Sequence, residues 1–148
     1  MDKVKIGSGD WIIVCDGRKA LILENVGDQR SPRLQTKEVR EQPAAMTREQ
    51  GVDAPGRVYP SMGAALSSVE QTDWHDEVER AFLTALAERL DAAVKKGETR
   101  ALNVIAPPRA LGMIRQAYSP AVRRVLKVEL GKDLVKLPVH EIEKQLLS

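Results

Sequence analysis

The sequence is poor in cysteine, aromatic residues and long apolar runs, and each shortage excludes a class of protein. The single cysteine, Cys15, cannot form an internal disulfide and leaves no cysteine pair for a zinc site. Aromatic residues make up 3% of the chain, too few for a platform on which single-stranded nucleic acid could stack. The longest apolar run, WIIVC at 11–15, is too short to span a bilayer. The first ten residues hold no apolar stretch typical of a secretory signal, so we expect a cytoplasmic protein without membrane insertion.

Neither sign of charge dominates. Lysine plus arginine number 23 and aspartate plus glutamate 21, a formal net charge of +2. A dedicated nucleic-acid binder normally has a concentrated excess of basic residues, which this chain lacks. A local basic patch is still compatible with the balance, because positive residues gather between positions 109 and 127. These are Arg109, Arg115, Arg123, Arg124 and Lys127.

The chain has enough apolar residues for one domain. Its 148 residues are 43% hydrophobic and 30% charged, which is ordinary for a soluble globular domain with its own core. We find no internal repeat. We therefore treat residues 1–148 as a single domain.

Short apolar runs predict five strands. WIIVCD at 11–16 and ALNVIA at 101–106 are continuously apolar, which is typical of strands covered on both faces. ALILENV at 20–26 follows the first run so closely that an antiparallel hairpin is expected. RLQTKEV at 33–39 and RVLKVEL at 124–130 are more polar and indicate strands with a solvated face.

Apolar residues spaced by three or four positions predict the helices. The first helix is expected to begin at Asp73 as its N-cap and to end before Gly97. A second is expected from Pro107 to about Tyr118, and the last is expected to open at Pro138. The order β-β-β-α-β-α-β-α indicates an α/β fold with a five-stranded mixed sheet. Its strands 11–16 and 101–106 should lie side by side, parallel and central.

The long connection at 40–72 has no apolar periodicity and is rich in proline, glycine and small polar residues. A loop of this length inside a domain is usually functional or disordered. Residues 43–68 offer little apolar area to offset the entropy of ordering them, so we expect them to be the most mobile internal segment.

Three stretches give the chain a family resemblance: WIIVCDGRKALILEN near the start, APPRALGMIRQ after the fourth strand, and VLKVELGKDLVKLPVHEIEKQL at the end. Together they resemble the bacterial host attachment family, whose members are described as required for attachment to host cells. The family in turn looks similar to the middle domain of archaeal and eukaryotic peptide-chain release factors, so the resemblance implies a release-factor-like, ribonuclease H-like topology.

The resemblance departs from release factors at one motif. The release-factor domain carries a Gly-Gly-Gln loop before its long helix, and the corresponding segment here, 40–72, contains none. The nearest pair, Gln50-Gly51, stands in the reverse order. Hydrolysis of peptidyl-tRNA by the release-factor mechanism is therefore not expected.

Candidate binding residues gather where the two central strands are expected to end. If those strands are parallel, Asp16, Gly17 and Arg18 emerge beside Arg109, which lies in the first turn of the second helix. A phosphate or carboxylate could bind there between two arginines and a helix N-terminus. Arg57, in the long connection, is a further candidate.

The same residues have a structural interpretation, which we favour. Pro107 and Pro108 end the strand and begin the helix, and Arg109 then pairs with Asp16 as an ion pair at the sheet edge. In this interpretation no ligand is required.

The run DWHDE at 73–77 places carboxylates around His75 and invites a metal or general-base interpretation. Asp16 would have to join them, yet the fourth strand ends in Ala106-Pro107 and contributes no carboxylate. Acidic residues near a helix N-terminus are expected without any metal. We assign no metal, no cofactor and no catalytic residue.

Three hypotheses follow. The first is a non-catalytic binding or adaptor protein with a protein partner, acting through the long connection or the edge that holds Arg18 and Arg109. The second is a translation-associated factor that binds RNA or the ribosome, by analogy of fold. The third is a small hydrolase that uses Asp16 and the 73–77 cluster.

Overall fold

A computed structural model describes residues 5–42 and 68–147. The predicted mobile segment lies outside these residues, except for its last position, where a helix begins. Arg57 lies outside them as well. Within the described residues the chain forms five strands and four helices. In chain order they are β1 (Trp11–Cys15), β2 (Lys19–Asn25), β3 (Leu34–Glu41), α1 (Ser68–Lys95), β4 (Leu102–Ile105), α2 (Pro108–Arg115), α3 (Pro120–Val125), β5 (Leu126–Leu130) and α4 (Val139–Leu147).

The strands form one mixed sheet in the order β3-β2-β1-β4-β5. β1 pairs antiparallel with β2, and β2 antiparallel with β3. β1 pairs parallel with β4, where Trp11 lies opposite Leu102 and Val14 opposite Ile105, and β4 pairs parallel with β5. The predicted fold class is confirmed, and so is the parallel, interior placement of the two most apolar strands.

The sheet has an apolar core on each face. Side chains alternate across a strand, so Trp11, Ile13 and Cys15 face the layer of α1, α2 and α3, while Ile12 and Val14 face α4. All five residues of β1 are fully buried. This double coverage explains why β1 carries an unbroken apolar run and not an alternating one.

The predicted start of the first helix is wrong. α1 begins at Ser68, so Asp73 lies inside the helix and is not its N-cap. The sequence carries a second capping signal upstream of Asp73, because Ser67 followed three residues later by Glu70 is the pattern of a capping box. The earlier start therefore agrees with the same preference for a capping side chain that favours Asp73. In the part of the chain that the structure describes, no helix combines the length and apolar character needed to cross a membrane.

The second predicted helix is shorter than expected, and a further helix that was not predicted from the sequence follows it. α2 ends at Arg115, and a separate short helix, α3, begins at Pro120 with Ser119 as its N-cap, whose hydroxyl accepts a hydrogen bond from the Val122 N–H at 3.2 Å. The following strand therefore begins at Leu126, two residues later than predicted. Serine followed by proline is a helix-start signal, and it outweighs the strand propensity of the next residues.

Candidate functional site

A groove of about 400 Å³ lies at the carboxyl edge of the sheet, where β1 and β4 end. Its walls come from the β1–β2 turn, α1, the N-terminus of α2 and the segment that follows β5. The lining residues with charged side chains are Asp16, Arg18, Lys19, Glu79, Arg109, Asp133 and Lys136. Four of these are basic and three acidic, so charges of both signs line the groove.

Asp16 is held by the turn that it begins. Its Oδ1 accepts hydrogen bonds from the backbone N–H of Arg18 at 2.8 Å and of Lys19 at 2.9 Å. A side chain that closes its own turn in this way is typical of aspartate after a strand. The sequence prediction placed Asp16 at the correct edge, but the contacts give its carboxylate a role in shaping the turn.

Gly17 lets α1 approach the turn closely. A Cβ added at Gly17 would lie 2.7 Å from both Cγ and Cδ of Glu79 and 2.9 Å from its Cβ. Such separations do not occur between non-bonded carbons, so the close packing of Glu79 on this turn requires glycine. The backbone carbonyl of Gly17 also accepts a hydrogen bond from Gln42 Nε2 at 3.0 Å, which ties the turn to the end of β3.

The predicted partner of Arg109 is wrong. Its guanidinium pairs with the carboxylates of Asp76 and Glu79 from α1, and not with Asp16. The hydrogen bond with Glu79, followed by the attraction of both carboxylates, raises the pKa of Arg109 above its ordinary value. Because α1 packs against α2, its acidic residues reach Arg109 from the side. Arg109 therefore joins the two helices across one wall of the groove.

Three basic side chains at the groove have no such compensation. Within residues 5–42 and 68–147, Arg18, Lys19 and Lys136 form no ion pair with any carboxylate. The sequence prediction included Arg18 but missed Lys19, Asp133 and Lys136. The signal for the last two was available, because β5 is a third parallel strand and the chain leaves it at the same edge.

The contacts give no support to a metal or nucleophile at this edge. Asp76 is occupied by Arg109, and His75 is exposed with its ring edge against Trp74. Among the described residues, no group of three or more histidine, cysteine, aspartate or glutamate side chains could hold a metal ion. Burial, aided by the charge of Asp16, raises the pKa of the Cys15 thiol to about 12, so it stays protonated at neutral pH.

Of the five candidate residues, the structure brings four together at the groove. Asp16, Gly17, Arg18 and Arg109 all line it. The N-terminus of α2 also lies at the groove. Pro107 is its N-cap residue, and among the described residues no side chain caps its backbone N–H groups by a hydrogen bond. What the sequence could not show is which of these charges are already paired inside the protein.

Comparison with known proteins identifies a family. Over residues 11–146 the chain matches the family described as "Protein required for attachment to host cells", and it therefore belongs to that family. No curated protein matches it. Among solved structures, the ethanolamine utilization protein EutJ from Carboxydothermus hydrogenoformans is similar to 89% of this chain at 10% identity and a TM-score of 0.43, and the chain spans 46% of that protein. A likeness this slight has no bearing on function, and the likeness to release factors stays a prediction.

Proposed function

We propose that this host attachment family protein is a non-catalytic binding or adaptor protein and that the groove at the carboxyl edge receives its partner. One observation carries the proposal. Arg18, Lys19 and Lys136 surround the groove without a carboxylate partner in the described part of the chain, whereas the neighbouring Arg109 has two. Uncompensated positive charge beside a concave surface favours a partner that brings an anionic group.

The groove favours a polar partner over an apolar one. Asp133 contributes an exposed carboxylate to the same lining, so both positive and negative side chains line the opening. A flexible segment of a protein partner that carries acidic side chains would meet the three basic residues and could place a basic side chain near Asp133. Exposed ion pairs of this kind are worth about 0.5 kcal/mol each, so we expect weak binding that depends on salt.

The same contacts argue for binding and against catalysis. Asp16 is engaged by two backbone N–H groups, and Asp76 and Glu79 are engaged by Arg109. A general base must accept a proton from a substrate, and one oxygen of each of these carboxylates is already engaged by donors within the protein. The hydrolase hypothesis built on Asp16 and the 73–77 cluster is therefore the weaker one.

The proposal is tested by an NMR titration of the uniformly labelled protein with a short polyglutamate peptide. We expect the amide signals of Gly17, Arg18 and Ala110 to shift together. In the double variant Arg18→Gln/Lys136→Gln, loss of two contacts of about 0.5 kcal/mol each should weaken binding about fivefold. The matched control is Lys96→Gln, which removes an exposed lysine just beyond the C-terminus of α1.

The control should bind like the wild type. Shifts spread evenly over the surface, or equal affinities for the wild type and the double variant, would contradict the proposal. A pull-down of ribosomes by the same proteins addresses the translation hypothesis. Retention of ribosomes by the wild type but not by the double variant would assign the groove to that partner.

A further inference from the structure

A second charged surface lies at the other end of α2, away from the groove. It is formed by Arg80, Arg115, Arg123 and Arg124, which we call the arginine surface. Arg80 Nη1 donates a hydrogen bond to Gln116 Oε1 at 3.3 Å, and Arg123 Nη2 donates one to the Arg115 carbonyl at 3.0 Å. These contacts bring together Arg80 of α1, Arg115 of α2 and Arg123 of α3, and Arg124 is the exposed residue that follows Arg123 along α3.

Within residues 5–42 and 68–147, Arg115 is the one member of this surface that pairs with a carboxylate. Arg115 pairs with Glu129 at 3.0 Å, and the same carboxylate accepts a hydrogen bond from the Tyr118 hydroxyl at 3.0 Å. Arg80 and Arg123 contact only neutral acceptors. Arg124 has no side-chain partner within the described ranges. Three guanidinium groups therefore have no compensating carboxylate in the part of the chain that the structure describes.

Helix capping accounts for only part of this surface. Arg115 lies in the last turn of α2, and Arg123 and Arg124 lie in the last turn of α3, where a helix dipole favours positive charge. The dipole of a six-residue helix is small, however, and gives no reason for two arginines. Arg80 lies in the middle of α1, where no dipole argument applies. Glu77 and Glu88 flank Arg80 along α1 and limit the surface on that side.

The chemistry of the surface points to phosphate groups. Guanidinium binds phosphate oxygens through two parallel hydrogen bonds, and every uncompensated cation here is arginine. The aromatic residue beside Arg115 and Arg123, Tyr118, is buried and has its hydroxyl committed to Glu129, so it cannot stack on a base. A patch with guanidinium groups and no exposed ring suits the backbone of a paired nucleic acid and does not suit its bases.

We propose that the arginine surface binds the phosphate backbone of a nucleic-acid duplex without reading its sequence. The inference is independent of the groove, because the two surfaces share no residue. It also needs no excess of positive charge in the whole chain, since Gln116 and Arg115 bring Arg80 and Arg123 close together and Arg124 follows Arg123 in the same helix.

The test is fluorescence anisotropy with labelled RNA and DNA duplexes of about 20 base pairs. Three neutralised phosphates predict a slope of log K against log salt of about −2.7, so raising salt from about 50 to about 200 mM should weaken binding about 40-fold. The variant Arg123→Gln/Arg124→Gln removes two contacts and should reduce the slope to about −0.9. If RNA and DNA duplexes bind alike, the backbone alone is recognised; a preference for RNA would indicate that the surface also contacts the sugar hydroxyl.

Two controls make the outcome decisive. Arg30→Gln removes an exposed arginine between β2 and β3, the two strands farthest from β5 in the sheet. This variant should leave the duplex affinity and its salt slope unchanged. The groove variant Arg18→Gln should do the same, so a failure of this inference is distinct from a failure of the proposed function. Equal loss in Arg30→Gln, or competition by polyglutamate as strong as by duplex at equal charge, would overturn the assignment to nucleic acid.

Discussion

The two edges of the sheet differ in how far their polar side chains are paired within the described residues. At the amino edge, where β1 and β4 begin, Asn25 is fully buried and makes five hydrogen bonds. Its amide nitrogen donates to the carbonyls of Ile6, Gly7 and Asp28, and its amide oxygen accepts from the N–H groups of Gly27 and Arg33.

Two further polar side chains at the amino edge, those of Asp10 and Thr99, are satisfied in the same manner. Asp10 accepts from the Gly7 N–H and from Lys127 Nζ, both at 2.8 Å. The hydroxyl of Thr99 lies 3.1 Å from the carbonyls of both Gly9 and Ala101. At the carboxyl edge, by contrast, Arg18, Lys19 and Lys136 lack ion-pair partners among the described residues. These polar groups of the amino edge are hydrogen-bonded within the fold, whereas three basic side chains of the carboxyl edge have no carboxylate partner among the described residues. Ligands of sheets with parallel strands generally bind at the carboxyl ends of those strands.

The largest expected effect is at the amino edge. Asn25→Ala removes five hydrogen bonds and leaves buried backbone groups unpaired, so we expect the free energy of unfolding to fall by about 3 kcal/mol. Urea denaturation measures the change. Gln35→Ala, at an exposed position on β3, is the matched control and should change stability by about 0.5 kcal/mol or less. A loss below about 1 kcal/mol in Asn25→Ala would mean that this network does not hold the edge together.

A smaller effect is expected where the carboxyl edge is packed most closely. Gly17→Ala would place a methyl group against the Glu79 side chain, so the turn or α1 must move, and we expect a loss of about 2 kcal/mol. Gly112→Ala in α2 is the control, because its added Cβ meets no atom within 4 Å. The control should gain about 0.5 to 1 kcal/mol from helix propensity. Equal responses of the two variants in urea denaturation would refute the packing argument.

The smallest effect is expected for the ion pairs of Arg109. The Arg109 side chain is 55% exposed, so Arg109→Gln should lower the free energy of unfolding by about 1 kcal/mol or less, and the loss should shrink in high salt. Thermal melts at low and high salt measure this. The polyglutamate affinity should fall less than in Arg18→Gln/Lys136→Gln, because Arg109 is already neutralised. A larger loss of affinity than in that double variant would identify Arg109 as the main anion-binding group.

The sequence predicted the fold more fully than the candidate site. Strands covered on both faces leave unbroken apolar runs, so β1 and β4 were recognisable as interior neighbours. The start of α1 was missed because the sequence carries two capping signals close together, at Ser67 and Asp73. The start of α3 was missed because its Ser-Pro signal competes with the strand propensity of the next residues, and local sequence does not rank the two. At the groove, the turn residues and Arg109 were predicted, whereas Asp133 and Lys136 come from a distant part of the chain.

Apolar patterning and turn residues in the sequence by themselves determined the mixed sheet, the central parallel pair and the edge at which charged residues gather. Only the tertiary structure decided which charges are free, because pairing depends on distances between residues far apart in the chain. Arg109 and Asp16 lie at the same edge of the sheet. Arg109 nevertheless pairs with Glu79, which packs against Gly17, while the carboxylate of Asp16 accepts hydrogen bonds from the backbone of its own turn. The sequence states which residues carry a charge, but packing decides which of these charges are paired. The unpaired cations of the groove can therefore be identified only in the folded chain.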